Sequence, residues 1–291
     1  MALRNNQDRL GPPKGAGDTP LVTNNEQEAP KDVPQAPVSF STPTKIVDLP
    51  SKGRFYPEGH PLHNCDTIEI RFMTAKEEDI LTSKSLLKKG IAIDRMLQSL
   101  LINKGINVND LLIGDKNALT VAARISGYGN VYSTNVTCPN CNAVNQWTFD
   151  LEESNVHDGV ENLPDGVELT SENTYKTTLP ASKAVVEFRP LTGHDEARMI
   201  RTMKARQRNG MGESSLTDQY KNYIVSINGE KDGRTIHSFV ENMPAMDSRH
   251  LRTVYQQSVP NTDLTQGFVC VECTYDAEME VPFTTDFFWP K

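Results

Sequence analysis

Cys138-Pro139-Asn140-Cys141 and Cys270-Val271-Glu272-Cys273 are the two stretches that decide how this chain is put together. Each CxxC sits where strand-like runs meet. Asn130 to Cys138 and Val144 to Leu151 flank the first pair; a short run into Cys270 and another from Asp276 to Phe283 flank the second. A tight turn presenting two thiolates supplies half of a tetrahedral four-ligand site, and this chain has two such halves. If the hairpins pack face to face, Cys138, Cys141, Cys270 and Cys273 close one all-cysteine structural zinc site per chain, with no open position. Four free thiols and a redox pair are the competing readings. Against zinc stand the 128 residues between Cys141 and Cys270, and Asn142 and Thr274 in the place where a glycine often follows a knuckle. Against redox chemistry, neither pair opens a helix within a βαβ pattern.

Upstream of each hairpin the same order of elements recurs. Thr67 to Met73 alternates like a strand, and Thr74 with Glu77 forms a capping box for a helix running to Gly90. Helices are expected from Ile93 to Asn103, with Met96, Leu97, Leu100 and Leu101 at core spacing, and from Asp115 to Gly127. In the second half, Val185, Val186 and Phe188 lead into Arg189-Pro190-Leu191-Thr192-Gly193-His194-Asp195-Glu196. This run matches Arg71-Phe72-Met73-Thr74-Ala75-Lys76-Glu77-Glu78 in its Arg, its Thr and its second Glu, and both have an acid three residues after the Thr. Helical patterns follow at 194–208, 217–227, 235–242 and 247–257. The fold class expected is α+β: helical clusters with short antiparallel hairpins, zinc-ribbon-like at the CxxC turns, with an internal duplication suggested by the repeated order. The expected division is a disordered arm over 1–44, a first repeat over 45–151, a linker over 152–173 and a second repeat over 174–291. The arm holds seven of the 18 prolines and no apolar periodicity, so it buries too little to offset its ordering entropy.

The chain has 291 residues, 37% apolar and 23% charged, with 30 Lys and Arg against 38 Asp and Glu. A net charge of −8 argues against a protein that coats nucleic acid. No apolar run is long enough to span a bilayer, and the first ten residues lack a secretory apolar core, so the chain is expected to remain in the compartment where it is made. Five cysteines are an odd count, too sparse for a disulfide-stapled domain, and Cys65 is left alone. His60, His63 and Cys65 lie in a Pro/Gly-rich entry segment and read as turn formers rather than ligands. There is no GxxxxGKS/T loop, no GxGxxG after a strand, no HExxH and no GxSxG. Nothing in the residues argues for an enzyme, and no catalytic residue is assigned.

Two surfaces are candidates for partner binding. Arg198, Arg201 and Arg208 fall near one side of a helix with Lys204 beside them, either a basic contact surface or a solvated face. Phe287, Phe288 and Trp289 form an aromatic end, either an interface anchor or a terminal strand packed on its own domain.

The runs LPSKGRFYPEGHPL (49–62), IEIRFMTAKEEDILTSKSLLKKG (68–90), GDKNAL (114–119), ARISGYGNVY (123–132) and TCPNC (137–141) together resemble the T4-like bacteriophage baseplate protein family. The resemblance covers about residues 46–151; the second CxxC and the ending PFTTDFFWP fit less specifically. It implies a non-enzymatic subunit or assembly protein of the tail baseplate hub of a contractile-tailed phage. Its partners would be other tail and hub proteins, and it would be found in the host cytoplasm during assembly and in the virion baseplate. No binding residue carries over. The alternative is a zinc-ribbon regulator that binds nucleic acid through the 198–208 stretch.

Overall fold

Ile68 and Ile70 alternate with polar neighbours, and that period of two turns them to the buried face of the first hairpin. β1 (Thr44–Asp48) pairs antiparallel with β2 (Thr67–Arg71), Val47 opposite Ile68. The structure, a computed structural model, describes residues 42–210, 215–282 and 285–288. The arm expected over 1–44 therefore lies almost wholly outside the described residues, and Thr44 already belongs to a strand.

Thr74 caps α1 (Ala75–Thr82) through the expected capping box. The helix does not run on to Gly90. Ser83 turns extended and starts a separate turn, its carbonyl accepting from Leu86 and Leu87, so that α2 (Lys84–Lys89) is a second helix. Thr82 and Ser83 are residues whose hydroxyls compete for helical backbone groups, and Thr82 bonds back to the Glu78 carbonyl. Gly90, in the left-handed conformation, ends it. α3 (Ala92–Leu100) buries Met96, Leu97 and Leu100. α4 (Ile113–Tyr128) buries Gly114, Asp115, Lys116 and every residue from Ala118 to Arg124, which marks it as a central helix rather than an amphipathic surface one. It starts hard against the later chain: a Cβ on Gly114 would lie 2.0 Å from the Pro260 carbonyl oxygen. β3 (Val131–Thr137) and β4 (Val144–Asp150) form the first CxxC hairpin.

The 152–173 stretch contains two short strands, β5 (Asn155–His157) and β6 (Val167–Leu169). β7 (Tyr175–Thr178), β8 (Val185–Phe188) and β9 (Ile224–Ile227) join β6 in an antiparallel sheet of order β6-β7-β8-β9. α5 (Gly193–Arg208) and α6 (Ser215–Tyr223) lie between β8 and β9. The helix expected over 217–227 thus stops at Tyr223. Ile224, Val225, Ser226 and Ile227 are instead a strand, because this β-branched run finds a sheet partner in β8 and buries Ile224 and Ile227 there. α7 (Gly233–Asn242) and α8 (Ala245–Ser258) follow, then β10 (Asn261–Asp263) paired with β5. β11 (Thr265–Val269) and β12 (Asp276–Glu280) form the second CxxC hairpin.

The repeated motif is built the same way twice. Arg71 grips both oxygens of Glu77, at 3.1 and 2.6 Å, as Arg189 grips those of Asp195, at 2.8 and 2.9 Å. Each arginine also donates at 3.1 Å to the carbonyl of a residue ending a later helix, Ser99 or Asn222. A second correspondence is not visible in the caps. Leu49-Pro50 and Leu179-Pro180 each end a strand, and the residues after them donate to an aspartate in the first turn of a helix: Ser51 N and Oγ to Asp115 (3.0 and 2.6 Å), Ala181 N and Ser182 N to Asp247 (2.7 and 2.9 Å). Asp115 and Asp247 are 132 residues apart, the same separation as Cys138 and Cys270.

The cores do not follow the halves. One contains β1–β4, the helices α1, α3 and α4, and Leu264, Phe268, Cys270, Val281, Phe287 and Phe288 from the far end of the chain. The other is centred on Tyr175, Val186, Phe188, Tyr223, Ile236 and Leu251. The C-terminal hairpin has crossed onto the first core, and that crossing brings the two CxxC turns together.

Candidate metal centre

The two turns are backbone equivalents. Cys138 N donates to Ala143 O and Asn142 N to Cys138 O, both at 2.9 Å; Cys270 N donates to Tyr275 O at 2.9 Å and Thr274 N to Cys270 O at 3.0 Å. Closing such a turn needs one residue in the left-handed region, and Asn142 (φ 58°) and Thr274 (φ 55°) take it without glycine. Asn does so at little cost; a β-branched Thr is strained there.

All four sulfurs lie within 4.8 Å of one another. Cys138 Sγ is 3.7 Å from Cys273 Sγ, and Cys141 Sγ is 3.7 Å from Cys270 Sγ, so the first cysteine of each turn meets the second of the other. A tetrahedron with metal–sulfur distances of about 2.3 Å has edges of about 3.8 Å. A disulfide would need about 2.05 Å, so these pairs are not bonded to each other. Cys138 and Cys270 are buried, Cys273 is half-buried and Cys141 is exposed. The four-sulfur cage is therefore anchored from below by two buried ligands and reached from one side.

Asn140 and Asn145, which the sequence reading passed over, complete the surroundings. Asn145, buried, donates from Nδ2 to Cys270 Sγ at 3.5 Å while its Oδ1 accepts from Val271 N at 3.0 Å. Asn140 Nδ2 donates to Cys273 Sγ at 3.6 Å. Both amides come from the first hairpin and serve sulfurs of the second. Beneath the turns, Phe268 is fully buried with its ring edge-on to Trp147, centroids 5.2 Å apart.

Desolvation would push the Cys270 thiol up, but amide donors from Cys273 and Glu272, with the Cys273 thiol and Asn145, bring it down to about 6. The Cys273 thiol is also lowered, first by the Tyr275 amide and then by Asn140. Cys141 receives an amide from Ala143 that favours its thiolate, yet the surrounding sulfurs and desolvation push it up to about 12. Four thiolates this close repel one another, and a soft cation at the centre removes that repulsion. The set is all sulfur and closed, leaving no position for a water or substrate.

The other predicted residues are not part of this cluster. Phe287 and Phe288 lie in a 3-10 turn (Thr285–Phe288) and are buried in this chain's own core, so they lack the exposed rings an interface anchor requires. The Phe287 ring packs edge-on to Tyr132, and Arg124, fully buried, ties the turn down: its Nε donates to Phe287 O at 2.6 Å while its other nitrogens donate to Gly129 O and Val131 O. Trp289 lies outside the described residues. Arg198, Arg201 and Arg208 are exposed on α5, Arg198 pairing with Asp195 at 2.5 Å. His60 stacks on Tyr56 and His63 Nδ1 bonds Tyr56 O, the turn-shaping role expected of that segment.

The T4 bacteriophage base plate protein family model matches residues 42–171. Over that stretch the chain is similar to T4 bacteriophage base plate proteins. No curated protein and no solved structure matches the chain. The base plate match takes in β1 to β6 and the first CxxC, and ends before the second. Half of the sulfur cage is thus supplied by residues beyond the matched region.

Proposed function

We propose that this chain is a non-enzymatic structural or assembly component of the tail baseplate hub of a contractile-tailed phage, working through contacts with other tail proteins. The family match over residues 42–171 carries this reading. We also propose that Cys138, Cys141, Cys270 and Cys273 hold one structural Zn²⁺, whose role is to clamp the C-terminal hairpin onto the first core. The 3.7 Å sulfur separations support it, and tetrahedral all-thiolate sites favour zinc. The correspondence of caps, aspartates and cysteines supports a duplicated unit, with repeats over 45–151 and 174–291. The host cytoplasm during assembly and the virion baseplate are its places of action. Among the described residues no helix is long and apolar enough to cross a membrane.

Metal analysis of the purified chain tests the clamp: one zinc per chain is expected, lost from both Cys138→Ser and Cys270→Ser. Retention of zinc by either variant overturns the shared site. Mass spectrometry of virions and of tail intermediates tests the hub role, and a chain found with no tail protein in infected cells overturns it. Tight low-salt binding to DNA or RNA would favour the nucleic-acid alternative instead.

A further inference from the structure

α2 and α5 are helices that the cores leave largely uncovered. α2 buries none of its side chains, although it contains Leu86 and Leu87. α5 buries only Gly193 and Asp195, both in its first turn, so that Ile200 and the exposed Met203 have no core against them. Helices of this length draw most of their stability from packing an apolar face. These two instead flank a groove of about 420 Å³ shared with α3 and the start of α4. Leu87, Ile91, Ile93 and Ile200 give it an apolar lining. Lys116, also in the lining, is neutralised by Asp94 at 2.5 Å and Glu196 at 2.6 Å. Lys89, Arg201 and Lys204 line it from both walls.

The surrounding charge is the reverse of the chain's own. Residues 84–95 and 193–208 hold nine Lys and Arg against three Asp and Glu, in a chain of net charge −8. All three acids are already engaged, Asp94 and Glu196 by Lys116 and Asp195 by Arg189 and Arg198. Among the described residues, Lys88, Lys89, Arg95, Arg201, Lys204 and Arg208 have no carboxylate partner.

We propose that this groove receives an acidic amphipathic helix from a partner protein. Its apolar face would lie on Leu87, Ile93 and Ile200, and its carboxylates would meet the cations of both walls. A nucleic-acid backbone would use the cations and leave the apolar lining without a purpose. The proposal rests on the reading of this chain as a part that works by protein contacts.

The test uses the full chain and a fluorescein-labelled peptide of about 14 residues, with Leu on one helical face and Glu elsewhere. A peptide of the same composition with its Leu residues spread around the helix and a single-stranded DNA of equal charge are the comparators. The amphipathic peptide is expected to bind most tightly, and Arg201→Glu with Lys204→Glu to weaken it about tenfold or more. The reversed variant should instead take up the Lys-for-Glu version of the peptide, which shows that it is folded. No binding, equal binding of the spread peptide, DNA bound as tightly, or an unaffected double variant would each overturn the groove. In infected cells, a double variant that enters tail complexes as well as the parent overturns the groove alone. A parent chain absent from tail complexes overturns the hub reading itself.

Discussion

The two CxxC hairpins share a backbone and differ in what they do for each other. The first supplies Asn140 and Asn145 to sulfurs of the second; at the position matching Asn145, 132 residues on, stands Ala277. The first sits at the end of α4, ten of whose residues are buried. The second follows α8, which buries only Asp247, Leu251, Val254 and Ser258. In the proposed clamp, the first hairpin is the platform and the second is the part held to it. Two hairpins of the same build do not need equal duties, because only one of two packed surfaces needs to carry the linking groups.

The largest effects should come from the sulfurs, and they should erase the difference between the halves. Cys138→Ser and Cys270→Ser should each release the metal and lower Tm by roughly 10 °C or more, equally, since zinc-site formation is coupled to folding. Calorimetry on both variants checks this; a large drop in one alone would mean the turns act separately.

Next come the paired caps. Glu77→Gln should cost about 3 kcal/mol and Asp195→Asn about 2 kcal/mol, read from urea unfolding, because the Arg71 side chain is less exposed than that of Arg189. Burial alone would raise the Glu77 carboxyl, but Arg71, Ser99 and Thr74 hold it at about 2, well below its ordinary 4.5. A carboxyl lowered in the folded state adds stability that is complete above its unfolded pKa and is lost as pH falls toward the folded one. Between about pH 4.5 and 2 the parent should therefore lose stability more steeply than Glu77→Gln.

Asn145→Ala sharpens the difference between the hairpins without touching a ligand. It should weaken metal affinity about 10–100-fold, the effect typical of groups that orient ligands, as measured by competition with a chelator. Asn140→Ala, on an exposed residue, should do less. The smallest effect concerns the turns. Thr274→Gly should stabilise by about 0.5–1 kcal/mol, and Asn142→Gly by less, because only the Thr is β-branched at positive φ.

The cysteine spacing, the strand runs around it and the Thr74 and Thr192 caps were legible because each depends on neighbours within a few residues. So were most helices: α5, α7 and α8 lie within two residues of their expected bounds. The helix break at Ser83 is local; the other departures came where a remote partner decides. Ile224–Ile227 satisfies a helical or a strand pattern equally until β8 is beside it. Phe287 and Phe288 read equally as an interface anchor or as an end packed on its own domain until Tyr132 and Arg124 are beside them. The Leu-Pro turns and their aspartates were visible as letters, but nothing local ties Ser51 to Asp115, 64 residues away.

The sequence by itself determined that two turns would each offer a pair of thiols, since a CxxC between strands fixes its own geometry through short-range hydrogen bonds. Only the tertiary structure decided that the pairs meet. Residues 264–288 bury Phe268, Val281 and Phe287 in the first core rather than the second, and the gain from covering that apolar surface is set by which surface lies open, a property no local pattern encodes.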